Sequence, residues 1–246
     1  MINDIKVRIQ RSFNRASDTY DEYSFIQREV CKNLLKQLKN LNFRHDVIAD
    51  FACGTGISTR EIINVFSCKT LYAIDFCDEL LEKAKNKKLG SKVIFILADF
   101  DDVVFLKNSF QLLICNMGFQ WALDLKHTLT TLLLQLSDFG VMAFSMPLQG
   151  TFNELKNTYR NYFLDSQSIV DLLEEIGFEI FSFQEENFIE IFNTPIETIR
   201  SIKNIGANCL IHRKSGEGLP SVRLIKNTQL TYRIGFFIVK KSSSNC

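Results

Sequence analysis

The sequence predicts an α/β fold, a doubly wound and mostly parallel sheet with a helical cover. Three observations carry this: short strand-like runs are continuously apolar, helical periodicity separates most of them, and a glycine-bearing turn follows the first run. Parallel strands are buried on both faces and so lose the alternation of a half-exposed strand. Interleaved helices are the mark of crossover connections.

Ile2, Ile5, Ile9 and Phe13 recur at helical spacing with basic residues between them. The pattern mimics a transit peptide, but Asp4 and its continuation favour an amphipathic first helix. A second helical pattern covers Ser24–Leu41. Val47–Phe51 then reads as a short buried strand. It ends in Ala52-Cys53-Gly54-Thr55-Gly56, which opens a helix over Ile57–Phe66. Further strands are expected over Thr70–Ile74, Val93–Leu97, Phe110–Cys115 and Val141–Ser145, with helices over Asp78–Lys88 and Leu125–Leu136.

The second half changes character. Thr151-Phe-Asn-Glu154 reads as a capping box, and Ser166–Ile176 as a helix stopped by Gly177. Phe178–Phe183 reads as a strand continued by Phe188–Phe192. Thr194-Pro195-Ile196-Glu197 predicts a capped helix running to about Ile205 and ending at Gly206. The aromatic, alternating Leu230–Val239 is the last strand. Short helices around 151–176 and 195–227 are expected to cover the sheet edge where ligands bind.

A chain of 246 residues and 28.4 kDa fits one domain. With 46% hydrophobic and 23% charged residues it is too balanced for a disordered chain. A net charge of +1 argues against a dedicated nucleic-acid binder. No apolar run approaches the roughly 18–20 residues that span a membrane. The seven cysteines are odd in number, scattered, and form no C-x-x-C, which points to a reducing, cytoplasmic setting. His45, His127 and His212 lack metal-ligand spacing, so no metal site is expected.

The turn after the first strand carries the chemistry. A strand ending in D-x-A-C-G-T-G (Asp50–Gly56) presents backbone N–H groups in the crevice where open α/β sheets bind ligands. Gly54 and Gly56 permit close approach of the backbone; the plainer reading is an ordinary strand-to-helix turn. Asp75, about twenty residues on, is placed to accept both hydroxyls of a ribose, or alternatively to cap a helix. Asp99 follows the third strand and is placed to accept from an adenine amino group, with Phe100 over the ring; it too has a reading as a turn residue. NAD is disfavoured, because Thr59 stands where a dinucleotide fingerprint wants Gly or Ala.

The D-x-A-C-G-T-G stretch resembles motif I of the class I S-adenosylmethionine-dependent methyltransferases, with Ala52 in place of the usual first glycine. Further blocks occur in order: Arg11–Asp21, Cys115–Trp121, Pro147–Leu155, Arg200–Asn208 and Leu230–Tyr232. Together they resemble the malonyl-acyl-carrier-protein O-methyltransferase family of early biotin synthesis, over essentially the whole chain. The resemblance implies a Rossmann-like, mostly parallel seven-stranded sheet with an antiparallel last strand. It implies S-adenosyl-L-methionine as cofactor, held by Asp50, Ala52, Gly54, Gly56, Asp75, Phe76, Asp99, Phe100 and Asn116. It places Tyr20, Gln120 and Trp121 at the acceptor, with core packing as the alternative for Trp121. Arg160 is the candidate clamp for the substrate carboxylate, with an exposed helix face as the alternative. The implied organisation is one domain over 1–246: N-terminal helices (1–42), cofactor-binding core (43–146), substrate cover and edge strand (147–230) and last strand (231–240).

Residues 197–241 hold nine basic and two acidic side chains, a net +7, against 20 basic and 26 acidic elsewhere. Acyl carrier proteins are acidic as a class, so this end is the expected dock, with Arg200, Lys203, Arg213 and Lys214 foremost. Two other readings stand beside it: a methyltransferase for a free small acid, and a non-catalytic binding protein on the same fold.

Overall fold

The computed structural model describes residues 2–41, 45–155, 160–211 and 228–241. Seven strands form one sheet: β1 (Val47–Phe51), β2 (Thr70–Asp75), β3 (Val93–Leu97), β4 (Phe110–Asn116), β5 (Leu136–Pro147), β6 (Phe178–Ile191) and β7 (Gln229–Lys241). Their spatial order is β3-β2-β1-β4-β5-β7-β6. The first five run parallel, and β7 inserts antiparallel between β5 and β6. The order reverses between β1 and β4, which opens the ligand crevice beyond their carboxyl ends.

Successive strand residues feed opposite faces. Ile48, Leu112 and Ile238 pack under α3 (Phe25–Lys39) and α4 (Ile57–Val65). Ala49, Leu113 and Phe237 pack under α6 (Leu125–Gln135) and α7 (Ser166–Ile176). The continuous apolar runs of β1, β4 and β5 thus follow from two-sided burial, whereas the edge strand β3 keeps Ile94 and Leu97 exposed. α5 (Asp78–Asn86) links β2 to β3. α1 (Ile2–Arg15) and the single turn α2 (Tyr20–Tyr23) lie across the carboxyl end of the sheet, and α8 (Pro195–Asn204) faces α2.

Two expectations, both of helix caps, are corrected. Thr151–Glu154 caps no helix: Gly150 and Phe152 have φ of 104° and 59°, outside the helical region. Thr151 instead exchanges hydrogen bonds of 3.0 Å with the backbone of Arg233, and Phe152 packs on Tyr232. β6 does continue from Phe178 to Ile191 as expected, its polar Gln184–Asn187 stretch lying on the sheet's outer strand and staying paired with β7. At α8, Thr194 makes no side-chain cap, and Glu197 instead accepts from the N–H of Asn193, 3.0 Å away.

Gly206 ends the α8 region at φ 75°, with its N–H bonded to the Lys203 carbonyl. A Cβ there would stand 2.6 Å from the Cα of Phe13 on α1. Gly206→Ala should therefore cost about 2 kcal/mol or more in thermal or denaturant unfolding, because both the φ and the neighbouring backbone oppose it.

Candidate active site

The loop after β1 sets the geometry. Ala52, Gly54 and Gly56 all adopt left-handed φ (56°, 56° and 81°). Asp75, at the end of β2 and only 6% exposed, accepts from the N–H groups of Gly54 and Cys77, each at 2.8 Å. Burial raises its carboxyl pKa, and these backbone donors pull it back. Each carboxylate oxygen keeps a further lone pair for a ligand. The two glycines differ in purpose. A Cβ on Gly56 would lie 3.0 Å from that of Ala84, so this glycine serves the packing of α4 on α5. A Cβ on Gly54 would enter open space whose nearest protein atom is Tyr20 Oη, 4.0 Å away. A ligand fits over that loop.

Asp50 lies beneath the loop and is fully buried, so it is a brace rather than a ligand group. Its Oδ2 accepts from Ser58 (2.8 Å) and Thr59 (2.6 Å) in the first turn of α4. This explains Thr59 in physical terms: its hydroxyl anchors the helix to β1. Asn116 is likewise a brace. Its side chain donates to the Gln27 carbonyl (3.0 Å) and accepts from Ser145 (2.9 Å), joining α3 to β4 and β5.

At the β3 end, Lys6 of α1 bonds Asp99 (2.9 Å) and Asp101 (2.8 Å). The same ammonium stands 4.6 Å from the ring centre of Phe100 and 5.3 Å from that of Phe76. Phe100 is buried edge-on against Phe119, so the half-buried Phe76 is the aromatic more open at this end. Gln10 of α1 donates to the Phe76 carbonyl at 2.6 Å.

A second, mostly apolar cavity adjoins the loop. Its lining includes Tyr20, Gln27, Met117, Gln120 and Trp121 together with Thr151, Phe152, Arg160, Ile202 and Tyr232. Sequence-expected Tyr20, Gln120, Trp121 and Arg160 are thus brought together. Trp121 is 8% exposed and packs edge-on to Phe13, so it serves both core and pocket. Gln120 donates to the Met117 carbonyl (2.6 Å), leaving a buried Oε1 without a partner among the described residues. Arg160 donates to the Thr151 carbonyl (3.2 Å) and to Asn153. It also lines an adjoining polar recess with Gln149, Tyr162 and Arg233. Burial, with Asp75 and Asp21 nearby, pushes the Tyr20 hydroxyl pKa well up, so Tyr20 is a neutral donor.

Arg200 and Lys203 are exposed on α8, whose Ile202 lines the cavity. Arg213 and Lys214 lie outside the described residues. Sequence reasoning missed Lys6, Asp21 and Gln27. Asp21 accepts from Thr55 of the loop at 2.5 Å. Gln27 offered a signal: it is a polar residue on the buried face of α3, beside Ile26 and Val30.

No described helix is long and apolar enough to cross a membrane. Burial pushes the Asp50 carboxyl up to about 7. A folded pKa above the unfolded value means that the native state holds the extra proton. Stability from this group therefore falls as pH rises from about 4 to 7, by up to about 4 kcal/mol. Asp50→Asn should remove that slope, so the variant's unfolding free energy gains on wild type between pH 4 and 7 and keeps the gain above.

Residues 48–137 match a family model described as a methyltransferase domain. The chain is 57% identical to malonyl-[acyl-carrier protein] O-methyltransferase 2 of Coxiella burnetii, with 98% of each chain covered. It is 29% identical to malonyl-[acyl-carrier protein] O-methyltransferase of Bacillus anthracis, over 84% of this chain and 82% of that one. In fold it is similar to phosphoethanolamine N-methyltransferase 2 of Haemonchus contortus, solved with S-adenosyl-L-methionine. The TM-score is 0.63 at 16% identity, covering 94% of this chain and 57% of the other. The chain belongs to the malonyl-[acyl-carrier protein] O-methyltransferase family.

Proposed function

We propose that the chain transfers a methyl group from S-adenosyl-L-methionine to the free carboxylate of malonyl-acyl carrier protein, an early cytoplasmic step of biotin synthesis. The observation that carries this reading is the 57% identity, over nearly the full length, to a relative of that name. The cavity agrees with it: a mostly apolar, narrowly walled space opens beside the glycine loop, as a short acyl group would need.

The cofactor supplies an activated methyl group on a sulfonium. Asp75 would hold its ribose and the Gly54 backbone would lie against it, with Phe76 and Asp99 at the adenine end. Release of Asp99 from Lys6 would then accompany binding. With the cofactor bound, the substrate carboxylate would be methylated by direct displacement at the sulfonium methyl, the electron pair of the broken C–S bond staying on sulfur. No proton moves, so no base is required. Tyr20, Gln120 and Trp121 orient the acyl group and exclude water; such positioning contributes roughly 7–11 kcal/mol.

The carrier protein would meet α8. Arg200 and Lys203 stand one turn apart on its exposed side, while Ile202 and Ile205 face the cavity. The strongly basic segment 197–241 would steer an acidic partner to the pocket mouth. Steady-state rates on malonyl-carrier protein, malonyl-CoA and free small acids test the reading; malonyl-carrier protein should be the preferred substrate. Arg200→Glu with Lys203→Glu should raise KM for malonyl-carrier protein several-fold and leave that for malonyl-CoA unchanged. An equal effect on both would transfer the reading to a free-acid methyltransferase.

A further inference from the structure

We infer that Gln27 forms the carboxylate-binding end of the acceptor pocket, and that it, rather than Arg160, holds the group to be methylated. This deepens the proposed function and rests on it. Gln27 lies on the buried face of α3, 9% exposed, and lines the cavity. Its side-chain amide has no hydrogen-bond partner among the described residues, although its backbone carbonyl is fixed by Asn116. The amide donors are therefore available to a ligand in the cavity.

Position separates the two candidates. Asn116 ties Gln27 to the carboxyl end of β4, and β4 pairs directly with β1 at Phe51 and Cys115, where the glycine loop starts. Tyr20, which lines the same cavity as Gln27, carries the protein atom nearest to the open side of Gly54. Arg160 is tied instead to the Thr151 carbonyl and also lines the adjoining polar recess with Arg233. A carboxylate that reacts beside the loop therefore meets Gln27 and Tyr20. One attached to Arg160 would lie toward the recess.

Charge points the same way. The reaction converts an anion and a cation into two neutral molecules, so negative charge on the carboxylate falls as the transition state is approached. A cationic clamp binds the ground state more tightly than the transition state and raises the barrier. Neutral donors orient the anion with less of that penalty. Arg160 is the one charged residue among those lining the cavity, and the same lining offers the neutral amide of Gln27 and the protonated hydroxyl of Tyr20. The remaining orphan, Gln120 Oε1, is an acceptor and suits an N–H or thioester neighbour rather than an anion.

The test compares wild type, Gln27→Met, which keeps the volume, and Gln27→Glu. Gln27→Met should lower kcat/KM for malonyl-carrier protein by about 10- to 100-fold, the range for losing a hydrogen bond to a charged group. Its calorimetric affinity for S-adenosylhomocysteine should be unchanged. With S-adenosylhomocysteine bound, wild type should prefer malonyl- over acetyl-carrier protein, and Gln27→Met should bind both alike. Gln27→Glu should be nearly inactive at pH 8 and recover as the pH falls and the new carboxyl protonates. A packing role would give the same loss at every pH. If wild type methylates malonyl-carrier protein and Gln27→Met keeps its rate and its preference for malonyl, Gln27 is not the carboxylate site. If wild type itself fails on malonyl-carrier protein, the substrate reading falls instead.

Discussion

A single buried carboxylate, Asp75, holds the strand ends in a form that a ligand can use. Between two backbone N–H groups, one from the glycine loop and one from the start of α5, it fixes the loop after β1 against the end of β2. The left-handed turns at Ala52, Gly54 and Gly56 are held besides by backbone bonds from Gly56 N–H to the Cys53 carbonyl and from Cys53 N–H to the Ile74 carbonyl of β2. Charge-assisted hydrogen bonds such as those to Asp75 are about twice as strong as neutral ones. Asp50 supplies the matching anchor from below through Ser58 and Thr59. The loop is thus gripped from two strands, and its upper surface is left free beside Tyr20.

The N-terminal segment makes one wall serve two sites. On the core side, Lys6 meets Asp99 and Asp101, Gln10 meets the Phe76 carbonyl, and Asp21 meets Thr55 and Lys87. On the cover side, Arg8 donates to the Leu210 carbonyl, Ser12 meets Asn208, and Thr19 donates to the Asn204 carbonyl at the end of α8. Exposed pairs such as Lys83–Asp18 contribute little individually. Their arrangement matters more: α1 and α2 are held between the crevice over the glycine loop and the cover, with Tyr20 at the junction. The close contact of Gly206 with Phe13 locks the same joint sterically.

The core was legible because two-sided burial leaves a plain trace. Continuous apolar runs marked β1 to β5, and Gly177 and Gly206 marked helix ends that do adopt left-handed φ. The Thr151–Glu154 region was not legible, since a threonine followed by glutamate fits a helix cap and a strand-flanking turn equally well. Only the φ of Gly150 and Phe152 decides between them. In the site, Asp75 and Gly54 could be read from spacing, because strand ends in this topology converge. Lys6 could not, since it lies on a helix whose docking onto the crevice is a tertiary event; Gln27 was marked only as a polar side chain in an apolar stripe, which does not say what it faces. Asp50 and Asn116 fell in the right neighbourhood for a different reason from the one expected, namely support of the loop and of α3.

The account makes catalysis a matter of holding an existing anion in line, with Tyr20 kept protonated and no side chain taking a proton. The pH dependence of single-turnover methyl transfer to malonyl-carrier protein tests this most directly. Carboxylates ionise near pH 4, so the rate should be flat from about pH 6 to 9. A rate that climbs about tenfold per pH unit across that range would mean that a base must first be deprotonated, and would contradict the account.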